Sequence, residues 1–445
     1  MTSHLTHVPD RPPVLCIGAG IEQLHAIRVA QTMGLHVTAI DGNPDAPGLQ
    51  VADQGNVTDL RDQEAVIALA RQVAPRTILP VPLGSIITTV GAVNDALGLR
   101  GISAGAARQC TDKLLMAATL EEAGLFSPQS LPADDEASIT AAAERMGWPV
   151  IIKPTDGSGS RGVFACHNLA ELQHWLPWHY QQRQEHSRTQ PTLVQQFIMG
   201  REVGIDGVMI DGKFGLLMIR DKEVTAQPFR LPYAFLAPAK LEPQNKQRLQ
   251  ETLSAACQAI PLDDCLVHAD VILGDQGEVA IIDLSGRPSG FNISARMAPC
   301  VLGFDPVEQM LRHNLGEPAC FESTRMGAAV LRFLSATPGK LVDVKGLSEA
   351  RQLPGIVAAE SFLAPGETIH PRRSGQDGYR VGYLLAKGNN RSEAEQHWQT
   401  ANQTISFLVE HNDDANQQEP SQGTQHSQHD VWCQDAPGPH TQLSD

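Results

Sequence analysis

The sequence contains no apolar run that approaches the roughly 20 residues a helix needs to cross a bilayer, so we expect no membrane partner. Its first residues lack the charged and then apolar pattern of a secretory signal. The eight cysteines are scattered, and they form neither a C-x-x-C pair nor a cluster with histidine. This pattern is typical of reduced thiols, and it favours a cytoplasmic protein.

Basic residues are also in short supply. Lysine and arginine number 34 against 50 aspartates and glutamates, which gives a formal charge of −16 at pH 7. A net charge of this sign disfavours contact with a phosphate backbone, so we expect no nucleic-acid partner, although it is compatible with local basic pockets. A chain of 445 residues exceeds the size of one hydrophobic core, and two or three domains are expected.

The first hundred residues alternate in the manner of a doubly wound α/β domain. Apolar strands at 14–17 and 35–40 flank a helical pattern over 23–33. Gly18-Ala19-Gly20 resembles a dinucleotide fingerprint, but Gln23 stands where the third glycine belongs. We therefore favour a structural turn, or a loop that holds part of a substrate, over a dinucleotide site.

The strand-and-helix alternation of the first hundred residues changes after residue 110. Thr111 is predicted to cap a helix that Gly124 ends. Beyond it, the stretch 150–163 reads V-I-I-K-P-T-D-G-S-G-S-R-G-V, and its apolar run predicts a buried strand ending at Lys153. The glycines that follow can bring several N–H groups to one anion.

This segment fits a phosphate-binding strand and loop. It is not the P-loop pattern, because Lys153 precedes the glycines and no G-K-[ST] follows them. Taken alone, the segment is also compatible with a strand and hairpin that carry a solvent-facing lysine.

A second candidate site lies on a hairpin predicted from strands at 267–272 and 279–284. Antiparallel pairing would place Asp270 near Asp283 and Ser285 on one face. Facing carboxylates repel each other unless a cation lies between them, and hard oxygen ligands beside a phosphate loop suggest Mg²⁺. The alternative is a pair of surface aspartates that flank a turn.

The order of these motifs resembles the ATP-grasp superfamily over nearly all of residues 14–410. It runs from Lys113 through the Lys153 loop to Q-Q-F-I-M-G-R-E-V-G-I-D-G (195–207), H-A-D (268–270) and I-I-D-L-S-G-R-P-S-G (281–290). The phrases A-T-P-G-K-L (336–341) and A-P-G-E-T-I-H-P (364–371) look like the C-terminal domain of the biotin carboxylase-like and L-amino-acid ligase branches.

The resemblance implies an α/β (α+β ATP-grasp) fold in four segments. They are an N-terminal half-Rossmann domain (1–110), a central two-subdomain ATP-grasp domain (111–324), a small C-terminal α+β domain (325–410) and a disordered tail (411–445). The tail is rich in Gln, His, Ser and Asp, which bury too little apolar surface to offset their ordering entropy.

The resemblance also assigns roles, residue by residue. ATP phosphates would meet Lys113, Lys153 and the loop residues Gly157, Ser158, Gly159, Ser160 and Gly162. The adenosine would be held by Gln195, Gln196, Phe197, Ile198 and Glu202. Mg²⁺, with Mn²⁺ as an alternative ion, would be bound by Asp270, Asp283 and Ser285. Substrate contacts would come from Arg220, Arg287, Ser289 and Asn292, and the catalytic groups would be Lys153 and Arg287.

The sequence departs from the pattern of the superfamily in three respects. Aspartates stand at 270 and 283 where glutamates are usual, and Ser285 replaces an asparagine. The hinge carries Gln195-Gln196 where an acidic residue is usual. Because aspartate is one methylene shorter, the ions would lie closer to the strands or be reached through water.

We therefore expect an ADP-forming ligase that joins a small-molecule carboxylate, such as an amino acid, to an amine. The related branches lead us to expect a homodimer. Arg220, Lys222 and Arg230 are predicted in a loop after a hairpin, where they either meet a carboxylate or phosphate or are simply solvated at the surface. Two alternatives remain: a carboxylase or carbamoyl-phosphate type of ATP-grasp enzyme, for which the chain has no biotin-accepting Met-Lys-Met sequence, and a non-catalytic ATP-binding subunit.

Overall fold

The computed structural model describes residues 11–155, 159–185, 191–275, 277–323 and 326–410. Gly157, Ser158 and the predicted disordered tail (411–445) lie outside the described residues. Within the described ranges, no helix is both long enough and apolar enough to cross a membrane.

The N-terminal part is a parallel sheet covered by helices. Its elements are β1 (Pro13–Ile17), α1 (Leu24–Thr32), β2 (His36–Asp41), α2 (Pro47–Val51), β3 (Gln54–Val57), α3 (Gln63–Val73), α4 (Ile87–Leu97) and α5 (Ala104–Thr111). The sheet order is β1-β2-β3, and Ile78 extends it through a parallel bridge to Leu15. The predicted βαβ opening is confirmed.

A four-stranded antiparallel sheet follows. Its elements are α6 (Lys113–Glu122), β4 (Ser130–Ala133), α7 (Glu136–Met146), β5 (Val150–Pro154), β6 (Phe164–Cys166), α8 (Leu169–Glu185) and β7 (Thr192–Gln196). The strand order is β4-β7-β5-β6, so the strand that carries Lys153 lies inside the sheet, between β7 and β6.

The next segment supplies five long or medium strands and the helices around them. Its elements are β8 (Arg201–Ile210), β9 (Lys213–Val224), β10 (Pro232–Ala237), α9 (Pro243–Ala259), β11 (Cys265–Leu273), β12 (Val279–Ser285), a π-helical turn (Ile293–Met297), α10 (Ala298–Leu302) and α11 (Pro306–Leu315). The predicted hairpin of β11 and β12 is confirmed, and Asp270 lies directly opposite Asp283 in its register.

The last segment adds strands to the same sheet. Its elements are β13 (Ala328–Phe333), β14 (Gly339–Lys345), α12 (Leu347–Gln352), β15 (Ile356–Glu360), β16 (Thr368–Ile369), α13 (Gly375–Val381), β17 (Tyr383–Gly388), α14 (Arg391–Asn402) and β18 (Ser406–Glu410). An eight-stranded sheet runs in the order β12-β11-β8-β9-β10-β13-β17-β15, and β16-β14-β18 form a small separate sheet.

The expected mixed α/β fold class is confirmed. Strand β10 pairs with β13, so the large sheet contains strands from both sides of residue 324. The predicted boundary between the ATP-grasp and C-terminal domains at residue 324 therefore stays a prediction. The N-terminal part shares one hydrophobic cluster with this sheet, through Leu15 of β1, Val203 of β8 and Val267 of β11. That shared core holds the edge of the first domain against the strands that carry the site.

The helix that begins at Lys113 is capped by Asp112, and the prediction for Thr111 is wrong. The Asp112 carboxylate accepts hydrogen bonds from the N–H groups of Leu114 and Leu115, at 3.0 and 3.1 Å. The Thr111 hydroxyl instead donates to the Ala107 carbonyl at 3.0 Å, at the end of α5.

Asp112→Ala is expected to lower the free energy of unfolding by about 1 kcal/mol, the usual cost of losing a helix N-cap. Thr111→Ala is the matched control and should cost less, since Thr111 lies within α5 and leaves the N–H groups of α6 paired. Urea unfolding of both variants checks the difference. Equal losses in the two variants would mean that Asp112 is not the cap.

Candidate functional site

A cavity of about 320 Å³ lies between the four-stranded and eight-stranded sheets. The N-terminal part and the loop after β12 close its remaining sides. Most of the predicted site residues line it: Lys113, Lys153, Gly159, Ser160, Gln195, Gln196, Phe197, Ile198, Glu202, Arg220, Lys222, Arg230, Asp270, Asp283, Arg287 and Ser289. Residues far apart in the sequence are therefore brought to one place.

The wall built by β5 presents Lys153 beside the glycine loop. Lys153 is 5% exposed, and its strand neighbour across the sheet is Leu193. The described part of the loop has left-handed backbone at Gly159, Ser160 and Gly162, which glycine tolerates without cost and serine only with strain. The buried His179 ring fixes the far end of the loop, because its Nδ1 lies 2.9 Å from the Gly162 carbonyl.

The charges on this wall are arranged for an anion. Burial, reinforced by the charge of Lys113, lowers the pKa of Lys153 to about 7, and Asp283 opposes the shift. Lys113 comes from the first turn of α6 and lies 3.9 Å from the Asp283 carboxylate. Two ammonium groups held near one another repel, so a bound polyanion would relieve both.

The end of β7 forms a second wall. The Gln195 side chain is buried and donates to the Ser130 hydroxyl at 2.8 Å, while the Gln196 side chain accepts a 3.4 Å bond from the Gln129 N–H. Both amides are thus turned towards β4. Phe197 lies beneath the Arg230 guanidinium, 5.6 Å from it, which is close enough for a cation–π contact.

Glu202 and Asp270 share a cationic partner. The Glu202 carboxylate accepts from Arg230 at 2.6 Å and lies 3.7 Å from the Lys222 ammonium. The same ammonium donates to Asp270 at 2.8 Å. Burial alone would raise the pKa of Asp270, but the charge of Lys222, with smaller contributions from His268 and Arg220, holds it well below its usual range.

The predicted metal ligands are only partly suited to metal ions. Asp270 and Asp283 face each other and line the cavity, as hard oxygen donors for Mg²⁺ should. Asp270 is engaged by Lys222, which leaves Asp283 as the carboxylate that fits an ion. Ser285 is buried opposite His268 and does not line the cavity. Among the described residues, no group of three or more His, Cys, Asp or Glu side chains could hold a metal.

A buried network lies behind the acidic residues. The Arg220 guanidinium is ion-paired with Asp206, and its Nη2 lies 3.3 Å from His268 Nδ1 and 3.4 Å from the Ser289 hydroxyl. Burial lowers the pKa of His268 to about 3, and the Arg287 and Arg220 charges add to this, so the ring is neutral. The Ser289 hydroxyl donates to Asp206.

One predicted placement is wrong. Arg220 and Lys222 lie on β9 rather than in a loop, because that strand extends to Val224; Arg230 alone lies in the connection to β10. Asn292 lies in the turn after β12, as predicted; its amide donates to the Tyr379 hydroxyl and it does not line the main cavity, and its role as a substrate contact stays a prediction. Arg287 does line the cavity, and its guanidinium donates to the Pro288 carbonyl at 2.8 Å.

Sequence reasoning missed several residues that line the cavity. Glu22 enters from the loop before α1 and accepts a hydrogen bond from the Phe291 N–H, and burial raises its pKa. Gln376 enters from α13, where the Gly375 N–H donates to the Gly159 carbonyl at 3.1 Å. The one available signal was Glu22 itself, a carboxylate directly after the Gly18–Gly20 loop.

Comparison with known proteins agrees with this geometry. A model of the ATP-grasp domain matches residues 146–295, and one of the L-amino acid ligase C-terminal domain 2 matches residues 332–410. A formate-dependent phosphoribosylglycinamide formyltransferase of Synechococcus sp. (strain RCC307) is 27% identical over 92% of this chain and 100% of its own length.

Solved structures share the fold at low identity. The L-amino acid ligase of Bacillus licheniformis superposes with a TM-score of 0.76 at 20% identity, over 90% of this chain and 99% of its own. The biotin carboxylase domain of the Hydrogenobacter thermophilus 2-oxoglutarate carboxylase gives 0.69 at 18% identity, over 89% and 90%. The chain therefore contains an ATP-grasp domain and a C-terminal domain of the L-amino acid ligase type.

Proposed function

We propose that this chain is an ATP-dependent, ADP-forming ligase that joins a small-molecule carboxylate, such as an amino acid, to an amine. One observation carries the proposal: a single cavity collects Lys113, Lys153 and the Gly159–Ser160 turn on one side, and Asp283 and Arg287 on the other. The two domain matches support this proposal. So does the formyltransferase relative, which by its name depends on formate, a small carboxylate.

In the proposed reaction, an oxygen of the substrate carboxylate bonds to the γ-phosphorus of ATP, and the bond to the β-phosphate oxygen breaks to release ADP. The amine nitrogen then attacks the acyl carbon, phosphate leaves, and the amine proton passes to phosphate or solvent. Lys113 and Lys153 place positive charge against the phosphates, and Arg287 meets the charge that develops on the acyl phosphate. The protein mainly positions the reactants.

Mg²⁺, or Mn²⁺ in its place, would be held by Asp283, and bound there it would neutralise phosphate charge. The Gln195–Ile198 strand end would receive adenine through backbone groups, since both glutamine side chains are bonded to β4. Glu202 would accept from the ribose. Ser289 and Glu22, which both line the cavity, would meet the substrates.

The assay is release of ADP and phosphate by purified protein with Mg-ATP and pools of carboxylates and amines. ADP release that needs both pools supports the ligase. Release that depends on bicarbonate instead would favour carboxylase chemistry, and nucleotide binding without turnover would favour a non-catalytic subunit. Asp283→Asn should abolish the substrate-dependent release of ADP. Full activity in that variant would contradict the assignment of the site.

Nucleotide affinity is expected to fall as pH rises above 7. Because the pKa of Lys153 is about 7, the group is largely neutral at pH 8.5, while a bound triphosphate favours its charged form. Binding then takes up a proton, and affinity drops by up to about tenfold per pH unit above the pKa.

Calorimetry with a non-hydrolysable ATP analogue at pH 7.5 and 8.5, in buffers of different ionisation enthalpy, measures both the affinity and the proton uptake. The Lys153→Arg variant is the control, because a guanidinium stays charged over this range and its affinity should not follow pH. A flat wild-type profile with no proton uptake would contradict the expectation.

Three further proposals accompany the activity. The described cysteines are all unpaired thiols, which supports a reducing, cytoplasmic setting. A homodimer is proposed by analogy with the biotin carboxylase domain above, whose structure is described as a dimer. The boundaries near residues 110, 324 and 410 are proposed as domain limits, and limited proteolysis would test them.

A further inference from the structure

We propose that the Lys222 ammonium occupies the place beside Asp270 that a divalent ion would otherwise take, so that the site binds one divalent ion per nucleotide, at Asp283, rather than one at each aspartate. The inference rests on the proposed nucleotide-binding function and sharpens it. It follows from where Lys222 lies and from what lies between it and Asp270.

The order of strands brings Lys222 to Asp270. Strand β8 lies between β9, which carries Lys222, and β11, which carries Asp270. Asp270 is opposite Gly204 on β8, which has no side chain of its own, and the Arg220 guanidinium lies over that glycine; Lys222 is two positions further along β9, on the same face. The Lys222 ammonium reaches across β8 and ends 2.8 Å from the Asp270 carboxylate.

The ammonium is held from two sides. Glu202 lies 3.7 Å away on the other flank, and the Lys222 side chain is 12% exposed. Arg230 is the second cation of this group, since it pairs with Glu202 at 2.6 Å, so that two carboxylates and two cations form a compact charge-balanced group. A divalent ion that bound Asp270 would have to displace the ammonium or accept it as a close neighbour of like charge, and either costs free energy.

Asp283 is placed differently. Its partner Lys113 lies 3.9 Å away, beyond a normal hydrogen bond, and the Asp283 side chain is 30% exposed. An ion at Asp283 can reach the cavity and the phosphates there, as Mg²⁺ usually does when it takes one or two carboxylates, waters and substrate oxygens. The shorter aspartates and the serine at 285 suit a site that holds one ion at Asp283.

The test counts Mn²⁺ bound per chain at saturating non-hydrolysable ATP analogue, by electron paramagnetic resonance of free Mn²⁺. Wild type and Asp270→Asn should each bind one ion. Lys222→Met should bind two, because Asp270 and Glu202 lose their ammonium, and adding Asp270→Asn to it should return the count to one. Lys246→Met, at an exposed lysine on α9, is the matched control and should bind one.

Two ions in wild type, falling to one in Asp270→Asn, would overturn the inference, and so would a single ion in a folded Lys222→Met. Circular dichroism reports folding; if Lys222→Met fails to fold, the wild-type and Asp270→Asn counts decide alone. Absence of analogue binding to wild type would reject the proposed function itself. Analogue binding with two ions would reject only the cation assignment.

Discussion

Replacing Lys153 with methionine is expected to lower the rate of substrate-dependent ADP release by roughly 10²- to 10³-fold, the usual loss when one group aimed at developing charge is removed. Lys153 lies on β5, inside the four-stranded sheet, and forms part of the cavity wall. Lys153 is 5% exposed, and its ammonium is affected by the like charge of Lys113. A buried ammonium in these surroundings does not stabilise the fold, so we interpret the Lys153 ammonium as a binding group for an anionic ligand.

The same substitution should leave the protein as stable as wild type or more stable. Burying an ammonium costs free energy, and methionine has a similar length without the charge. The rate of ADP release should therefore fall while the urea midpoint stays the same or rises. Lys246→Met should change neither, since that side chain is exposed on α9.

Two results would contradict the role of Lys153. One is a variant that keeps full activity, which would mean that the ammonium does not face the transferring phosphate. The other is a fall in stability as large as the fall in rate, which would make the lysine a structural group. Measuring both quantities on the same preparation separates these outcomes.

Local sequence was enough to predict the parts of the site formed by neighbouring residues. The strand and glycine loop around Lys153 are contiguous, so their chemistry could be read together. Asp270 and Asp283 lie on strands joined by a short turn, and a hairpin fixes its own register; their pairing was therefore predictable and is confirmed.

The contacts that sequence reasoning missed depend on the order of strands in space. Lys222 reaches Asp270 because β8 lies between β9 and β11, which chain order does not reveal. Glu22 meets Phe291 across 269 positions of sequence. Arg220 was predicted in a loop because the apolar run that indicates the strand ends at Ile219, and nothing in the local sequence shows that Asp206 on the adjacent strand is its partner.

Asp206→Ala is expected to lower the free energy of unfolding by about 3–5 kcal/mol, the range measured when one partner of a buried ion pair is removed. Arg220 is 1% exposed, and Asp206 is its carboxylate partner in the buried network. Without that carboxylate the guanidinium stays buried beside His268, which is neutral, and Ser289. Replacing Gly204 with a residue that has a side chain would not relieve the unpaired charge of Arg220, because a Cβ at position 204 would lie 2.5 Å from the guanidinium carbon.

The double variant Asp206→Ala/Arg220→Met separates the ion pair from the rest of the network. Removing both charges should recover much of the lost stability, because a buried pair replaced by apolar groups is often neutral, whereas a lone buried charge is not. Glu367→Ala provides the matched control: it breaks an exposed ion pair with Arg380, and the urea midpoint should barely move. If Asp206→Ala were as stable as that control, Arg220 would have to be solvated by water or paired with another anion. Because Arg220 lines the cavity, a bound substrate could supply that anion.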